Sequence, residues 1–266
     1  MDLATILGIV IAFAGILVGQ FLEGGSILQI LQPTAAFIVL GGTIGATMIG
    51  FPLSIMKHAI ADLMNVLKDE VVDPSAVIDE IIKFANKARR EGIISLEKDV
   101  ATVSDEYFKK AIMMAVDGSE PKELRQTMEL ELQYMEERGE HTAKFYEAAG
   151  GFAPTIGIIG AVLGLIQVMQ HLDNIEEVGH GIAVAFVATI YGVGVSNIFF
   201  LPIAGKLKFK LRKKMIIKEM MLEGTLGILE GQNPRLIEGK LTSFLDEEYQ
   251  KLRAEKNAGK GKKAAA

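Results

Sequence analysis

The chain contains no cysteine, which removes any disulfide framework, zinc knuckle or thiol nucleophile. Its four histidines, His58, His141, His171 and His180, are scattered. The last two flank Asp173, Glu176 and Glu177, yet no spacing there matches a recognised metal-ligand motif, and a solvated polar loop is the simpler reading. A phosphate-cradling glycine loop is also missing, because Gly239-Lys240-Leu241 lacks the upstream glycine and the following Ser or Thr. Neither a nucleophile elbow nor a zinc-protease signature occurs. These absences argue against an enzyme, and no metal, cofactor or nucleic-acid partner is expected.

A further absence is more informative. Four apolar segments, Leu3 to Leu22, Thr34 to Met56, Gly150 to His171 and Gly181 to Ile203, contain no Asp, Glu, Lys or Arg. Each is close to the roughly 20 residues that a helix needs to cross about 30 Å of hydrocarbon. The chain therefore reads as an all-α membrane protein with four spans, its mean hydropathy being +0.31. Lys206, Lys208, Lys210, Arg212, Lys213 and Lys214 follow the fourth span, whereas the connectors Glu23 to Pro33 and Leu172 to His180 hold no Lys or Arg. Positive charge stays inside, so both termini and the long middle segment belong in the cytoplasm of a multi-pass inner-membrane protein. The first segment lacks a basic leader and a small-residue cleavage site and reads as a retained span.

The middle segment is helical by its punctuation. Asp73-Pro74 is an N-cap followed by proline at the first helical position, and Val77, Ile78, Ile81, Ala85 and Ala88 then recur at helical intervals until Gly92. Ser104 is expected to cap the next helix, ending near Gly118. Ser119 and Pro121 open a third, whose Leu124, Met128, Leu132 and Met135 form a stripe running towards span three. Span four continues as Leu207, Leu211, Met215, Leu222, Leu226 and Leu229 up to Gly231, and Asn233-Pro234 begins a short closing helix. Taken alone, Arg89-Arg90 before Gly92 is an exposed helix end whose charge suits the negative C-terminus.

Within the spans, glycines four apart, at Gly15 and Gly19, Gly41 and Gly45, and Gly160 and Gly164, allow close helix approach. In the first two spans this is read as helix packing. Spans three and four add polar groups at membrane depth: Thr155 and Gln167 in one, Thr189, Tyr191, Ser196 and Asn197 in the other. Such hydroxyls either bond back to their own helix or line a water or ion path. Pro154 and Pro202 free carbonyls and permit bending in the same two helices. Any titrating carboxylate for ion passage must come from another chain.

The run Ala88-Arg89-Arg90-Glu91-Gly92-Ile93-Ile94-Ser95-Leu96-Glu97, with Met114-Ala115-Val116-Asp117-Gly118, Ala153-Pro154-Thr155-Ile156-Gly157 and Val187-Ala188-Thr189, resembles the A subunit of the bacterial flagellar motor stator, the MotA/PomA family. The resemblance covers essentially the whole chain up to the closing helix; TolQ and ExbB are more distant relatives with three spans. It implies an ion-driven rotary machine in which five copies surround two copies of a MotB/PomB-type single-span B subunit that carries the membrane Asp. It implies rotor contact with FliG through Arg89 and Glu97, with Arg90 as a neighbour, and conformational coupling through Pro154 and Pro202. The ion path would hold Thr189 and Thr155. Sodium-driven members tend to have threonine at the positions of Ala161 and Ala188, so protons are favoured here, while Thr189 and backbone carbonyls leave sodium open.

The organisation expected is spans one and two over 1–56, a cytoplasmic rotor-facing segment over 57–149, spans three and four lining the ion path over 150–204, C-terminal cytoplasmic helices over 205–245, and a charged, disordered tail over 246–266. The rival readings are a TolQ/ExbB-like proton-channel energiser of an envelope process, a secondary transporter and a structural scaffold. The turn from Arg89 to Glu97 argues against the first. The lack of intramembrane charge and of an inverted repeat argues against the second, and the scaffold would leave Thr189 without a role. Orientation can be tested because the chain has no cysteine of its own. A membrane-impermeant maleimide applied to intact spheroplasts should label Ser26→Cys, and should label Ser119→Cys only after permeabilisation. The reverse pattern would overturn the assigned orientation.

Overall fold

The structure is a computed structural model and describes residues 2–67, 73–247, 249–251 and 253. Among these residues the regular structure is helical, with no strand. In chain order the helices are α1 (Leu3–Leu22), α2 (Pro33–Gly50), α3 (Leu53–Leu67), α4 (Pro74–Glu91), α5 (Glu106–Val116), α6 (Pro121–Gln170), α7 (Ile175–Leu229) and α8 (Pro234–Thr242). A 3₁₀ turn at Ile93–Leu96 and one helical turn at Glu97–Val100 join α4 to α5. Four helices, α1, α2, α6 and α7, are long and apolar enough to cross a membrane. The chain forms two compact units: Met1–Asp69 with Arg138–Lys210, and Glu70–Glu137 with Leu211–Ala266.

The second unit has a conventional apolar core. Asp73 caps α4 by accepting from the Ser75 N–H, with Pro74 at the first position, and Val77, Ile78, Ile81, Phe84 and Ala85 are buried along one face. The apolar spacing anticipates that face, with Phe84 added to it and Ala88 at its half-buried edge. Phe108 and Ile112 of α5, Leu124 and Met128 of α6, Leu226 of α7 and Ile237 of α8 complete the cluster. The cap of α5 is Asp105, not Ser104: its carboxylate accepts from the N–H groups of Tyr107 and Phe108, both at 3.1 Å. The carboxylate wins because it also receives the buried Lys218 ammonium, at 2.6 Å on one oxygen. An unpaired ammonium that deep would lose its hydration without return.

The closing chain is anchored further along than its composition suggests. Residues 247, 249–251 and 253 are helical, and Arg253 is only 4% exposed. Its guanidinium donates to Asp79, to Glu238 and to the Ser75 carbonyl. The disorder expected from 246 therefore does not hold for these residues, because the guanidinium finds two carboxylates. The rest of that expectation, 254–266, lies outside the described residues.

In the first unit, the second span is shorter than the sequence implies. Phe51 precedes Pro52 and is extended, at φ −133° and ψ 137°, since the proline ring excludes the helical region for the residue before it. Instead of reaching Met56, α2 ends at Gly50 and α3 starts afresh. Ala59 of α3 is buried with Tyr146 and Ala204, and the Tyr146 hydroxyl donates to the Ala59 carbonyl at 2.8 Å. The connector before α2 is pinned by Tyr191, whose hydroxyl donates to the Ile30 carbonyl at 2.6 Å and accepts from the Gln32 N–H.

The apolar parts of α6 and α7 pack backbone against backbone. A Cβ on Gly192 would lie 2.5 Å from the Ala153 carbonyl oxygen, one on Gly157 would lie 2.9 Å from that of Ala188, and one on Gly164 2.8 Å from that of Gly181. Small residues are required on both sides of this seam. Gly15, Gly19, Gly41 and Gly45 behave differently, having open space where a Cβ would stand. The packing expected from the glycines of the first two spans is therefore not made within this chain, and α1 buries no residue at all.

Pro154 lies inside α6. Having no N–H, it cannot donate to the carbonyl four residues earlier, Gly150. The hydroxyl of Ser196, itself 1% exposed, reaches across from α7 and donates to that oxygen at 2.6 Å. Ser196→Ala should therefore lower the stability of the detergent-solubilised protein by about 1–3 kcal/mol, the cost of a buried carbonyl without a donor. Thermal unfolding followed by circular dichroism measures this, with Ser196→Thr keeping most of the wild-type midpoint. An Ala variant as stable as wild type would show that the Gly150 carbonyl needs no partner.

Candidate functional site

The residues singled out by the sequence fall at two places, one in each unit. In the first unit they line or adjoin the seam between α6 and α7. Ala188 is fully buried, with its Cβ 2.8 Å from where a Cβ on Gly160 would stand. Ala161 is half-buried. The Thr189 hydroxyl donates to the Ala185 carbonyl at 3.2 Å, and that of Thr155 to the Phe152 carbonyl at 2.8 Å. Each threonine thus bonds back to its own helix, and no hydrogen bond joins the two.

The two prolines are accommodated in different ways. The Pro154 Cα lies 3.2 Å from the Cβ position of Gly192, so this proline sits in the seam. Pro202 is exposed and follows a π turn, Ser196–Phe200, where the Leu201 N–H bonds to the Ser196 carbonyl five residues back. The wider turn absorbs the missing donor of Pro202 before the helix resumes. Between Ala153 and Gly164, and between Gly181 and Ile203, the only titratable side chain is Tyr191, which is occupied by the connector. The seam holds hydroxyls and carbonyls but no carboxylate.

From the sequence, the hydroxyls of Tyr191 and Ser196 either bond back to their own helix or line a path. In the structure each bonds instead to a backbone carbonyl of another segment, Tyr191 to Ile30 and Ser196 to Gly150. The loop at His171 is similarly self-contained. His171 Nε2 is 3.3 Å from a Glu177 carboxylate oxygen, and its Nδ1 is 3.0 Å from the Gln167 carbonyl. Among the described residues no three His, Asp or Glu side chains are grouped to hold a metal ion.

In the second unit, Arg89 and Arg90 occupy the last turn of α4, which Gly92 ends with φ +83°. The following turn is tightly held. The Ser95 hydroxyl donates to the Gly92 carbonyl at 2.6 Å, Leu96 is fully buried, and Lys87 pairs with Asp99 at 2.9 Å. The hydrogen bond from Lys87 holds the Asp99 carboxyl below its usual range and, in return, raises the pKa of Lys87. Arg89, Arg90 and Glu97 are exposed and have no hydrogen-bond or ion-pair partner among the described residues. The turn brings cations to one end and an anion to the other, all three available to a partner.

With this geometry in view, comparison with known proteins is specific. Residues 99–221 match the MotA/TolQ/ExbB proton channel family, and residues 6–92 match the family of the motility protein A N-terminal region. Motility protein A of Bacillus subtilis is 39% identical over 249 residues, covering 92% of this chain and 91% of the relative. The structure of C. jejuni MotAB superposes with a TM-score of 0.89 at 36% identity, over 93% of this chain and 97% of that one. The flagellar MotAB stator complex from Bacillus subtilis gives 0.86 at 37% identity, over 93% and 98%. The chain belongs to the MotA/TolQ/ExbB proton channel family, on its motility protein A branch.

Proposed function

We propose that this chain is the A-type, ion-conducting subunit of a flagellar stator, which works with a MotB-type single-span partner and applies torque to the rotor protein FliG. The observation that carries the proposal is the near full-length likeness to MotAB stator structures in a chain whose spans lack any carboxylate. The partner supplies the titrating Asp, and five copies of this chain surround two of the partner. The wholly unburied α1 is compatible with such an assembly. Both termini and the second unit face the cytoplasm, following the basic cluster after span four.

Protons are the transported ion in this reading. A proton reaching the partner's Asp neutralises it and changes its interaction with α6 and α7; release to the cytoplasm restores the charge. Ala188, buried in the seam without a side-chain oxygen, and Ala161 withhold ligands that sodium would use. Thr155 and Thr189 add hydroxyls along the path, and Pro154 and Pro202 let the helices bend as the Asp changes charge. A unit charge crossing 100 mV gains only about 2.3 kcal/mol, so rotation proceeds in many small steps. Against a TolQ/ExbB-like energiser stands the separate match of residues 6–92 to the motility protein A N-terminal family.

Arg89, Arg90 and Glu97 form the rotor contact, gripping charges of opposite sign weakly enough to release at each step. In a motile host, Arg89→Glu and Glu97→Lys should each lower stall torque about twofold to fivefold, as loss of up to about 1 kcal/mol per exposed ion pair implies. Proton conductance and membrane level should stay at wild-type values. Wild-type torque in both variants and in the double variant would remove these residues from the contact. Thr189→Val should cut proton conductance, and a silent outcome would take Thr189 out of the ion path.

A further inference from the structure

We propose that Ile94 is the apolar anchor of the rotor contact, and that the partner presents an apolar recess between acidic and basic side chains. The inference rests on the rotor reading of Arg89 and Glu97 and adds a residue of different chemistry to it. Ile94 is 71% exposed, whereas Ile93 is half-buried and Leu96 is wholly buried in the core of the second unit. The turn therefore points one apolar side chain into the core and holds another out.

A single exposed isoleucine on a mobile loop would mean little. This one stands on a turn fixed by the positive φ of Gly92, the Ser95 hydroxyl on the Gly92 carbonyl, the Lys87–Asp99 pair and the buried Leu96. Little conformational freedom is then lost when a partner covers it. Arg89, Arg90 and Glu91 lie before it in the chain and Glu97 and Lys98 after it; all five are exposed, and Arg89, Arg90 and Glu97 have no hydrogen-bond or ion-pair partner among the described residues. An apolar centre rimmed by charges is the usual anatomy of a protein contact. The mixed signs disfavour a nucleic-acid or anionic lipid surface, which would select cations alone.

Charged pairs in water set register and encounter but contribute little holding energy. Covering Ile94 supplies apolar burial that does not depend on ionic strength. Charge reversal and apolar truncation should accordingly fail in different ways. Loss of Arg89 weakens the contact most at low salt, and loss of Ile94 weakens it equally at all salt concentrations.

The test uses the full chain with its B-type partner in a motile host, with fluorescently tagged stators and bleaching recovery at single motors. Ile94→Ser should shorten stator dwell time about tenfold, while Ile94→Leu, which keeps the apolar volume, should stay within about twofold of wild type. Proton conductance and membrane level serve as controls that insertion and assembly are intact. If Arg89→Glu shortens dwell and Ile94→Ser does not, the anchor is refuted and the rotor contact survives. Silence in both variants would refute the rotor contact itself. Equal loss in Ile94→Leu and Ile94→Ser would also overturn the anchor, since retained apolar area would then count for nothing.

Discussion

Hydrocarbon offers no hydrogen-bond partner, so each backbone carbonyl that a proline frees in a spanning helix must find its donor within the protein. Much of the membrane unit follows from that constraint. Ser196 caps the carbonyl that Pro154 leaves open, which requires α6 and α7 to approach closely enough for a short hydroxyl to reach. That approach in turn requires Gly157, Gly164 and Gly192 at the seam. Pro202 is relieved within its own helix, by the π turn just before it. The hydroxyls of Thr155 and Thr189 are each satisfied by a carbonyl of their own helix.

The same economy bears on the proposed division of chemistry between this chain and a partner. A carboxylate in the seam would need a counter-charge or a hydrogen-bond network to offset its desolvation, and glycine-to-glycine packing leaves no room for one. Between Ala153 and Gly164 of α6 and between Gly181 and Ile203 of α7 there is no Asp, Glu, Lys or Arg, which lets these stretches pack tightly. The second unit solves a different problem. Some of its ions are locked, as Lys218 is on Asp105, while Arg89, Arg90 and Glu97, at the end of α4 and just after it, are exposed.

Much of this was legible in the sequence. The uncharged runs located the spans, Asp73-Pro74 and Gly92 bounded α4, and the apolar stripe at Val77, Ile78 and Ile81 found its buried face, because each depends on neighbours within one or two turns. The end of the second span was legible in principle, since Pro52 dictates an extended Phe51. A continuous apolar composition hid it. The roles of Tyr191 and Ser196 were not legible, because their partners, Ile30 and Gly150, are remote in sequence and are backbone atoms that leave no mark on composition. Asp105 displaced Ser104 as a cap for a similar reason: the deciding group, Lys218, lies 113 residues away. The glycines of the first two spans look like those of the third, and only coordinates distinguish a filled seam from an open face.

In the proposed function this chain conducts ions only in combination with a carboxylate from a partner. Native mass spectrometry of the complex, extracted gently from its own membranes, tests it most directly. The expected result is this chain in excess over a single-span protein that carries one Asp within its helix, in a ratio near five to two. Recovery of this chain as a homo-oligomer that conducts protons by itself would contradict it.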